Sequence, residues 1–303
     1  MFILAHLSDP HLAPLPLPHI FELGSKRLLG FLNWQGQRIA IHRADVLDSI
    51  AADLKAQAPN HIAVTGDLVN IALPEEFTNA RKWLECLGAP ADVTLVPGNH
   101  DAYVQSIRQQ PALRWGDYMQ GDGVTPTDGS IAFPFIRRRG PLVLIGVTTA
   151  VASPPLMATG EVGAAQIGRL SDLLERLGRE RLFRILLIHH PPAGRRAAHK
   201  RLIDAEALTR VLRDRGVELV LHGHDHRASL NWLPGPRGPI AVIGVPSASA
   251  RANGKNVPAA YNLYRIDESS GGWRCEVVSR GFHRNGNVVL ELGRKVLTPL
   301  RPS

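Results

Sequence analysis

The sequence predicts an α/β protein whose chemistry lies at the ends of its strands. Three observations support this class. Short apolar runs alternate with amphipathic helical periods along residues 2–226. Five of the apolar runs end directly in aspartate, asparagine or histidine, and open α/β sheets place their ligands at such strand ends. Beyond residue 229 the pattern changes to strands separated by turns.

The individual elements follow in chain order from the spacing of apolar residues. Runs bounded by turn formers predict strands, and apolar residues recurring every three or four positions predict helices. The predicted strands are 2–7, 61–65, 92–96, 131–136, 142–147, 183–188, 217–221, 229–232, 240–245, 261–266, 273–278 and 288–290. The predicted helices are 39–54, 75–87, 103–110, 164–177 and 204–213. The basic run at residues 137–139 is interpreted as the solvated tip of a hairpin.

Composition limits the class of protein and its surroundings. The chain has 303 residues, 44% of them hydrophobic, which suits one globular domain over residues 1–303. Cys86 and Cys275 cannot build a disulfide framework, so a reducing compartment is expected. His6 and Asp9 interrupt the first apolar run, and no stretch approaches the ~20 apolar residues of a membrane-spanning helix. We therefore expect a cytoplasmic protein.

The charge of the chain favours anionic partners. Its net charge is +8 and its pI is about 10.0, which suits phosphate esters, nucleic acid or an acidic membrane surface. Nucleic acid is not favoured, because the sequence has no added DNA-binding module and no stripe of aromatic and basic residues. Peripheral membrane contact and the oligomeric state stay open.

The segment at residues 12–38 has no regular period and mixes prolines with apolar and basic residues. Our preferred interpretation is a loop and short helix packed against the body. The alternative is a lid over a site, or a surface that meets lipid or a partner. Because the segment follows His11, it begins beside the candidate site in either case.

Several strand ends carry residues that bind metal ions in proteins. His224 and His226 point to opposite sides if the loop after residue 221 is extended, so two adjacent ions would accommodate them better than one. Asp67 follows a strand and Gly66, a position that suits a ligand shared by two ions. The other strand-end candidates are Asp9, His11, Asn99, His100 and His189.

The order of these motifs resembles the calcineurin-like metallophosphoesterases. The motifs D-x-H, G-D, G-N-H-D, H-H-P-P and G-H-x-H occur in this order between Phe2 and His226. The strings G-D-L-V-N at 66–70 and P-E-E-F at 74–77 are most similar to the branch that contains cyclic-nucleotide phosphodiesterases and glycerophosphodiesterases. The resemblance implies a four-layer αββα sandwich of two mixed β-sheets flanked by helices, in which the strands at 229–291 complete the second sheet.

The resemblance also implies a site with two metal ions. One ion would be held by Asp9, His11, Asp67 and His226, and the other by Asp67, Asn99, His189 and His224. In such a pair, with ions about 3.5–4 Å apart, a bridging water becomes hydroxide near neutral pH and attacks phosphorus in line. Ligand sets of nitrogen and oxygen without thiolate favour manganese, iron or zinc over copper(I).

Further residues take supporting roles by the same resemblance. His100 would lie beside the leaving-group oxygen and act as the catalytic acid, and Asp101 would orient its imidazole. His190 and His222 are expected to support the ligands without binding metal, and Asn70 and His190 are candidate substrate contacts.

The sequence therefore predicts a metal-dependent phosphoric ester hydrolase, with a phosphodiesterase favoured. The substrate would be a small-molecule or lipid-linked phosphate ester. Phosphomonoesters and lipid-linked nucleotide pyrophosphates are the alternatives within the same fold; G-N-H-D at 98–101 argues against the UDP-diacylglucosamine pyrophosphatases, whose corresponding motif usually carries arginine. A metal-free binding module of this fold is disfavoured, because every expected ligand is present.

Overall fold

The computed structural model describes residues 1–124, 130–252, 256–269 and 272–300. Its strands are β1 Phe2–Leu7, β2 His61–Val64, β3 Val93–Leu95, β4 Phe135–Arg139, β5 Leu142–Gly146, β6 Phe183–Leu187, β7 Leu219–His222, β8 Ser229–Leu233, β9 Ile240–Gly244, β10 Ala260–Ser269, β11 Gly272–Phe282 and β12 Val289–Leu300. Its α-helices are α1 Ser25–Asn33, α2 Ile39–Ile41, α3 Ala44–Ala56, α4 Pro74–Leu87, α5 Gln110–Trp115, α6 Ala164–Leu177 and α7 Ala205–Arg215.

The strands form two six-stranded mixed sheets. The first has the order β12-β11-β10-β1-β2-β3, and the second has the order β4-β5-β6-β7-β9-β8. Strands β1 to β3 are parallel in the first sheet, and β5, β6, β7 and β9 are parallel in the second. The predicted α/β fold of two mixed sheets flanked by helices is confirmed.

Side chains of β5 show how the layers pack. Leu142 and Leu144 point into a core that also contains residues of β1, β2, α3 and α4. Val143 and Ile145 point the other way, into a second core with α6 and α7. Because successive side chains of a strand face opposite sides, the second sheet is covered by the first sheet on one face and by these helices on the other.

The C-terminal strands were all expected to join the second sheet, and this expectation was wrong in part. Only β8 and β9 do so, whereas β10, β11 and β12 extend the first sheet beyond β1. The connection is made by β10, which pairs antiparallel with β1 and places Leu4 opposite Tyr264. Apolar alternation identifies a strand but not its neighbour, so the pattern at 260–291 did not specify this pairing.

The basic run at 137–139 is not a solvated hairpin tip, and that interpretation was wrong. These residues lie in β4, and the side chain of Arg137 is buried. Its guanidinium donates to four backbone carbonyls, those of Pro90 (2.6 Å), Val93 (2.7 Å), Asp117 (2.6 Å) and Gln120 (2.7 Å). Because all three nitrogens of the guanidinium donate hydrogen bonds, the free-energy cost of burying its charge is offset.

The helix predicted over 39–54 is divided in two. His42 has an extended backbone (φ −87°, ψ 114°) between α2 and α3. Its ring Nδ1 forms a hydrogen bond with Ser249 Oγ (2.8 Å), and the backbone N–H of Arg43 donates to the Ser249 carbonyl (3.0 Å). The break directs the His42 ring toward the strand ends described below.

The segment at 12–38 is packed only in part. Trp34 is buried, as the preferred interpretation requires, and Phe31 is half-buried. Other apolar side chains of the segment are exposed, among them Leu17, Ile20, Phe21, Leu28, Leu29 and Leu32. Within the described part of the chain, no helix combines the length and apolarity needed to span a bilayer.

Candidate metal centre

Five strands from both sheets deliver the predicted ligands to one place. Asp9 and His11 follow β1, Asp67 follows β2, and Asn99 follows β3 in the first sheet. His189 follows β6, and His224 and His226 follow β7, in the second sheet. These are carboxyl ends of parallel strands, which is why residues far apart in sequence meet at one edge.

The first four proposed ligands form a compact group. One ligand atom from each of Asp9, His11, Asp67 and His226 lies within 4.8 Å of the others. His226 Nε2 is 3.2 Å from Asp9 Oδ1 and 3.2 Å from His11 Nε2. His11 Nε2 is 3.7 Å from Asp67 Oδ2.

The second group shares the same aspartate oxygen. His189 Nε2 lies 3.3 Å from Asp67 Oδ2 and 3.3 Å from Asn99 Oδ1. His224 Nδ1 lies 3.1 Å from the same Asn99 oxygen. Asp67 Oδ2 therefore faces imidazoles of both groups.

In three of the histidines, the ring nitrogen that points away from the centre contacts a backbone carbonyl oxygen, and this contact fixes which nitrogen carries the proton. A carbonyl oxygen can only accept a hydrogen bond, so the ring nitrogen beside it carries the proton and the other has the lone pair. The pairs are His11 Nδ1 with Val69 O (3.1 Å), His189 Nδ1 with Thr65 O (2.6 Å) and His224 Nε2 with Lys200 O (2.9 Å). The nitrogens that point inward are thus available to a cation.

The backbone of the site is held in an unusual conformation. Among the described residues, eight that are not glycine have positive φ, and five of these are proposed ligands. Those five are Asp9, His11, Asp67, His224 and His226, with φ from 36° to 70°. Side chains at such backbone angles cost free energy and tend to cluster at functional sites.

The charges of the site favour a bound cation. Burial lowers the pKa of His189, but the charge of Asp67 and its hydrogen bond outweigh burial and raise that pKa to about 10. His189 therefore takes up a proton when no other cation is near Asp67. Buried carboxylate, amide and imidazole ligands without thiolate fit two divalent ions, and this cluster has the required lone pairs.

Gly66 and Gly98, which lie beside Asp67, have no room for a side chain. A Cβ on Gly98 would lie 2.2 Å from Asp67 Oδ1 and 2.6 Å from Asp67 N. Gly66 has a φ of 89°, and its Cβ would lie 2.4 Å from Gly98 N. The two loops approach so closely that a methyl group at Gly98 must displace Asp67.

Replacing Gly98 with alanine is expected to weaken metal binding about 10–100-fold, the usual effect of disturbing what orients a ligand. Stability should fall by about 1–3 kcal/mol, because the added methyl group overpacks the site. Metal affinity by titration calorimetry and unfolding midpoints would be measured. Gly168→Ala in α6 is the matched control, since a Cβ there meets nothing within 4 Å. Equal metal affinity in the two variants would contradict the steric argument.

Asp101 does not orient His100, so that expectation was wrong. The buried Asp101 carboxylate instead accepts four backbone N–H groups, from Asp67 (2.9 Å), Leu68 (2.9 Å), Val69 (3.2 Å) and Gly98 (2.8 Å). Burial and the nearby charge of Asp67 raise the pKa of Asp101 to about 7. Asp101 thus joins the loops after β2 and β3 and positions Asp67.

A backbone carbonyl takes the role that was expected of Asp101. His100 Nδ1 donates to the Asn70 carbonyl oxygen (2.5 Å), and its ring stacks on Tyr103 with centroids 5.3 Å apart. The Asn70 loop is in turn held by the buried Glu76, which accepts the Asn70 N–H (2.6 Å) at the start of α4. Burial lowers the pKa of His100 to about 3, so its Nε2 carries no proton.

The proposed substrate contacts Asn70 and His190 are not accessible. Both side chains are fully buried. Asn70 Nδ2 donates to the Leu12 carbonyl (2.9 Å), while the two His190 ring nitrogens contact Thr149 Oγ1 (2.7 Å) and the Ala158 carbonyl (3.1 Å). Their burial disagrees with the expected substrate contact, and a ring nitrogen of His190 lies within 4.8 Å of ligand atoms of His189 and His224.

His222, the last residue of β7, is also buried. Its Nδ1 contacts the Gly223 carbonyl at 2.9 Å, and its Nε2 lies 3.4 Å from Ser229 Oγ. It is not among the residues that could form a metal-binding group within the described chain.

Two further residues, Arg38 and His42, line the centre and were not predicted from the sequence. Arg38 Nη2 lies 3.0 Å from His11 Nε2, and Arg38 Nη1 lies 3.4 Å from His100 Nε2. His42 packs on His11 with ring centroids 4.6 Å apart, and a ring nitrogen of His42 lies within 4.8 Å of ligand atoms of His11 and His226. Neither residue lies at a strand end, and the only signal was a segment that begins directly after His11.

Comparisons with known proteins match most of the chain. Residues 2–228 match the family model for the calcineurin-like phosphoesterases. A probable cyclic nucleotide phosphodiesterase of Synechococcus is 25% identical over 233 residues, covering 76% of this chain and 80% of that protein. The glycerophosphodiester phosphodiesterase GpdQ of Enterobacter lignolyticus is 33% identical over 99 residues, covering 33% of this chain and 29% of the relative.

A solved structure shows the same fold. The crystal structure of a dimetal phosphatase from Danio rerio matches with a TM-score of 0.63 and 15% sequence identity. The match covers 96% of this chain and 99% of the zebrafish protein. The arrangement of two sheets with flanking helices is therefore shared over nearly the whole chain.

Proposed function

The chain belongs to the calcineurin-like phosphoesterase family, a family of metal-dependent phosphoester hydrolases, and from this premise we propose that it is a dinuclear-metal phosphodiesterase. The observation that carries the proposal is the position of Asp67 Oδ2, 3.7 Å from His11 Nε2 and 3.3 Å from His189 Nε2. One carboxylate oxygen faces two groups of buried ligands, so it is placed to be shared by two ions.

Each residue of the centre has a proposed task. Asp9, His11 and His226 would hold one ion, Asn99, His189 and His224 would hold the other, and Asp67 would contribute to both. When bound, the ions supply Lewis acidity toward phosphoryl oxygens and lower the pKa of coordinated water. Manganese, iron and zinc are the metals that this ligand set favours.

His100 is placed beside the centre without belonging to either ligand group. Its backbone N–H donates to Asp67 Oδ1 (2.7 Å), and its Nδ1–H is committed to Asn70. Its Nε2 is therefore the atom that meets the substrate. A phosphoester anion near Nε2 favours the protonated ring, which can then donate to the leaving-group oxygen.

Arg38 is the second proposed substrate contact. Its guanidinium donates toward the inward Nε2 atoms of His11 and His100, so it lies between a metal ligand and the proposed acid. A metal ion and Arg38 would compete for the same lone pair of His11. With that lone pair engaged, the guanidinium is free to bind an anionic phosphoryl oxygen, an interaction that arginine makes well.

Replacing Arg38 with alanine is expected to lower kcat/KM by about 10–100-fold, the effect of losing a charge-assisted hydrogen bond. The affinity of the first site for Mn²⁺, measured by calorimetry without substrate, should rise because a competing cation has been removed. Arg43→Ala is the control, since Arg43 is exposed and pairs with Asp45 at 3.0 Å. Weaker metal binding in Arg38→Ala would show that Arg38 supports the ligands and would overturn the competition.

The preference for diesters rests on the two curated relatives, whose names describe phosphodiesterases. A substrate panel on metal-reconstituted protein tests it: bis-p-nitrophenyl phosphate, p-nitrophenyl phosphate, cyclic AMP, glycerophosphodiesters and a UDP-linked lipid. Higher kcat/KM on the diesters than on p-nitrophenyl phosphate supports the proposal. The reverse order would identify a phosphomonoesterase.

A cytoplasmic location is also proposed, supported by the free cysteines Cys86 and Cys275.

A further inference from the structure

One short segment exposes an unusual amount of apolar surface. Of the 18 large hydrophobic side chains that are exposed within the described residues, seven lie between residues 17 and 39. Phe21 is 82% exposed and Leu32 is 57% exposed. We refer to five of these side chains as the apolar face: Ile20, Phe21, Leu28, Leu29 and Leu32. Concentrated surface of this kind marks an interaction site more often than scattered single residues do.

Helix α1 is reversed relative to an ordinary surface helix. A surface helix normally turns its apolar side inward and its charges outward. In α1, Lys26 Nζ donates to the Ser153 carbonyl (2.7 Å) and lies 4.4 Å from the centroid of the Tyr103 ring. Arg27 donates to the carbonyls of Ile71 (3.1 Å) and Ala72 (2.5 Å). The basic residues therefore hold the helix to the body, and the leucines are left outside.

Close packing fixes this orientation. A Cβ on Gly30 would lie 2.5 Å from the Tyr103 hydroxyl and 2.7 Å from Ile71 Cγ2. The buried Trp34 stacks on His42 with centroids 6.3 Å apart. The turn at Ile20–Glu22 is tied to α1, because the Glu22 carbonyl accepts from Arg27 (3.3 Å). The apolar face is thus presented by a segment with specific contacts on its inner side.

The apolar face and the metal centre are linked through the same contacts. Tyr103, against which α1 packs, stacks on His100. Arg38, four residues after Trp34, contacts His11 and His100. The segment that carries the apolar face therefore contacts residues of the metal centre.

A chain of contacts connects helix α1 with exposed basic residues. Lys26 contacts Ser153, and the loop that follows carries Leu156, which is 86% exposed. That loop pairs with the stretch at 195–201, which we call the basic loop: the Ala158 N–H donates to the His199 carbonyl (2.7 Å). Arg195, Lys200 and Arg201 in the basic loop are exposed. Its Lys200 carbonyl also accepts from His224 (2.9 Å), which places the loop at the metal centre.

We propose that the apolar face and the basic loop together dock the protein on a bilayer that contains anionic phospholipid. Exposed apolar side chains together with exposed lysine and arginine, on a chain with a net charge of +8, are the features that bind such surfaces. The docked protein presents its metal centre to phosphoesters at the membrane. This last point rests on the proposed function, whereas the docking itself does not.

Vesicle sedimentation tests the docking. The full chain, reconstituted with Mn²⁺, would be mixed with phosphatidylcholine vesicles that contain or lack phosphatidylglycerol. The wild-type protein should sediment with the anionic vesicles, and less so as salt is raised. The triple variant Phe21→Ser, Leu28→Ser, Leu32→Ser should bind at least about tenfold more weakly, because three apolar side chains no longer enter the interface.

A matched control separates the apolar face from apolar surface in general. Leu113, Val288 and Leu290 are similarly exposed elsewhere on the protein, and their triple replacement by serine should leave vesicle binding unchanged. Both triple variants should hydrolyse soluble bis-p-nitrophenyl phosphate at the wild-type rate without vesicles. If the wild type binds vesicles but neither it nor the variants hydrolyse the phosphoester, the proposed function is contradicted and the docking is still supported.

Three results would overturn the docking. The first is that the wild-type protein does not sediment with anionic vesicles, and the second is that the Phe21, Leu28 and Leu32 variant sediments as well as the wild type. The third is that the wild type is a dimer on gel filtration and this variant a monomer, while vesicle binding is unaltered. That outcome would assign the apolar face to a second copy of the chain.

Discussion

Replacing Asp67 with alanine is expected to abolish turnover and to lower the metal content of the protein. Asp67 Oδ2 faces ligands of both groups, so its loss removes the one carboxylate common to the two ions. We expect kcat to fall by at least about 10³-fold. The ions are proposed to stabilise the charge of the transition state by several kcal/mol, and this stabilisation would be lost. Metal content by mass spectrometry and rates on bis-p-nitrophenyl phosphate would be measured together.

Asp53→Ala is the matched control for this variant. Asp53 is a carboxylate with its own network, accepting from Tyr261 (2.5 Å) and Arg280 (2.8 Å) at the junction of α3 with β10 and β11. Its loss should lower stability but leave two ions bound. A purified Asp67→Ala protein that keeps both ions and the wild-type rate would contradict the shared role.

Replacing His100 with alanine is expected to leave metal binding intact and to slow turnover by about 10²–10⁴-fold on substrates with poor leaving groups. His100 contacts Asp67 only through its backbone N–H (2.7 Å), and an alanine keeps that contact. The loss should shrink for p-nitrophenyl esters, since p-nitrophenolate needs little protonation. The measurement is a series of diesters whose leaving groups differ in pKa.

His61→Ala controls for the loss of a buried imidazole. His61 contacts Thr94 Oγ1 (2.7 Å) at the start of β2, away from the ligands, and its replacement should not change the leaving-group dependence. If His100→Ala slows good and poor leaving groups equally, the acid role fails. Only electrostatic help from the ring would remain.

The sequence predicted the fold class and the neighbourhood of the centre because both depend on local signals. An apolar run followed at once by a ligand, as at Asp9 or Asp67, identifies a strand and its carboxyl end together. Parallel strands then bring such ends to one edge. His224 and His226 contact different groups of proposed ligands, but the extended loop assumed in the sequence argument is absent, because both residues have positive φ.

The errors lie where long-range contacts decide. Asp101 was expected to serve its neighbour His100, but its carboxylate meets backbone N–H groups of two loops. Arg137 was expected in solvent, since charges are rarely buried without partners, and its partners are carbonyls from distant segments. Arg38 reaches the centre only through the irregular path of the segment at 12–38. Residue patterns do not encode such contacts.

The apolar face explains why that segment gave an ambiguous pattern. Leu28, Leu29 and Leu32 are exposed on the outer side of α1, whereas Lys26 and Arg27 occupy the inner side. A helix between a protein and a membrane has two partners, so its apolar residues need not face the protein core. Sequence periodicity alone cannot identify which side is which.

The claim that Asp67 is shared by two ions is tested most directly by anomalous diffraction from crystals of the Mn²⁺-reconstituted protein. The account predicts two anomalous peaks, about 3.5–4 Å apart, the usual spacing of a two-metal site, on either side of Asp67. One peak should lie against Asp9, His11 and His226, and the other against Asn99, His189 and His224. A single peak, or two peaks of which one has no contact with Asp67, would contradict it.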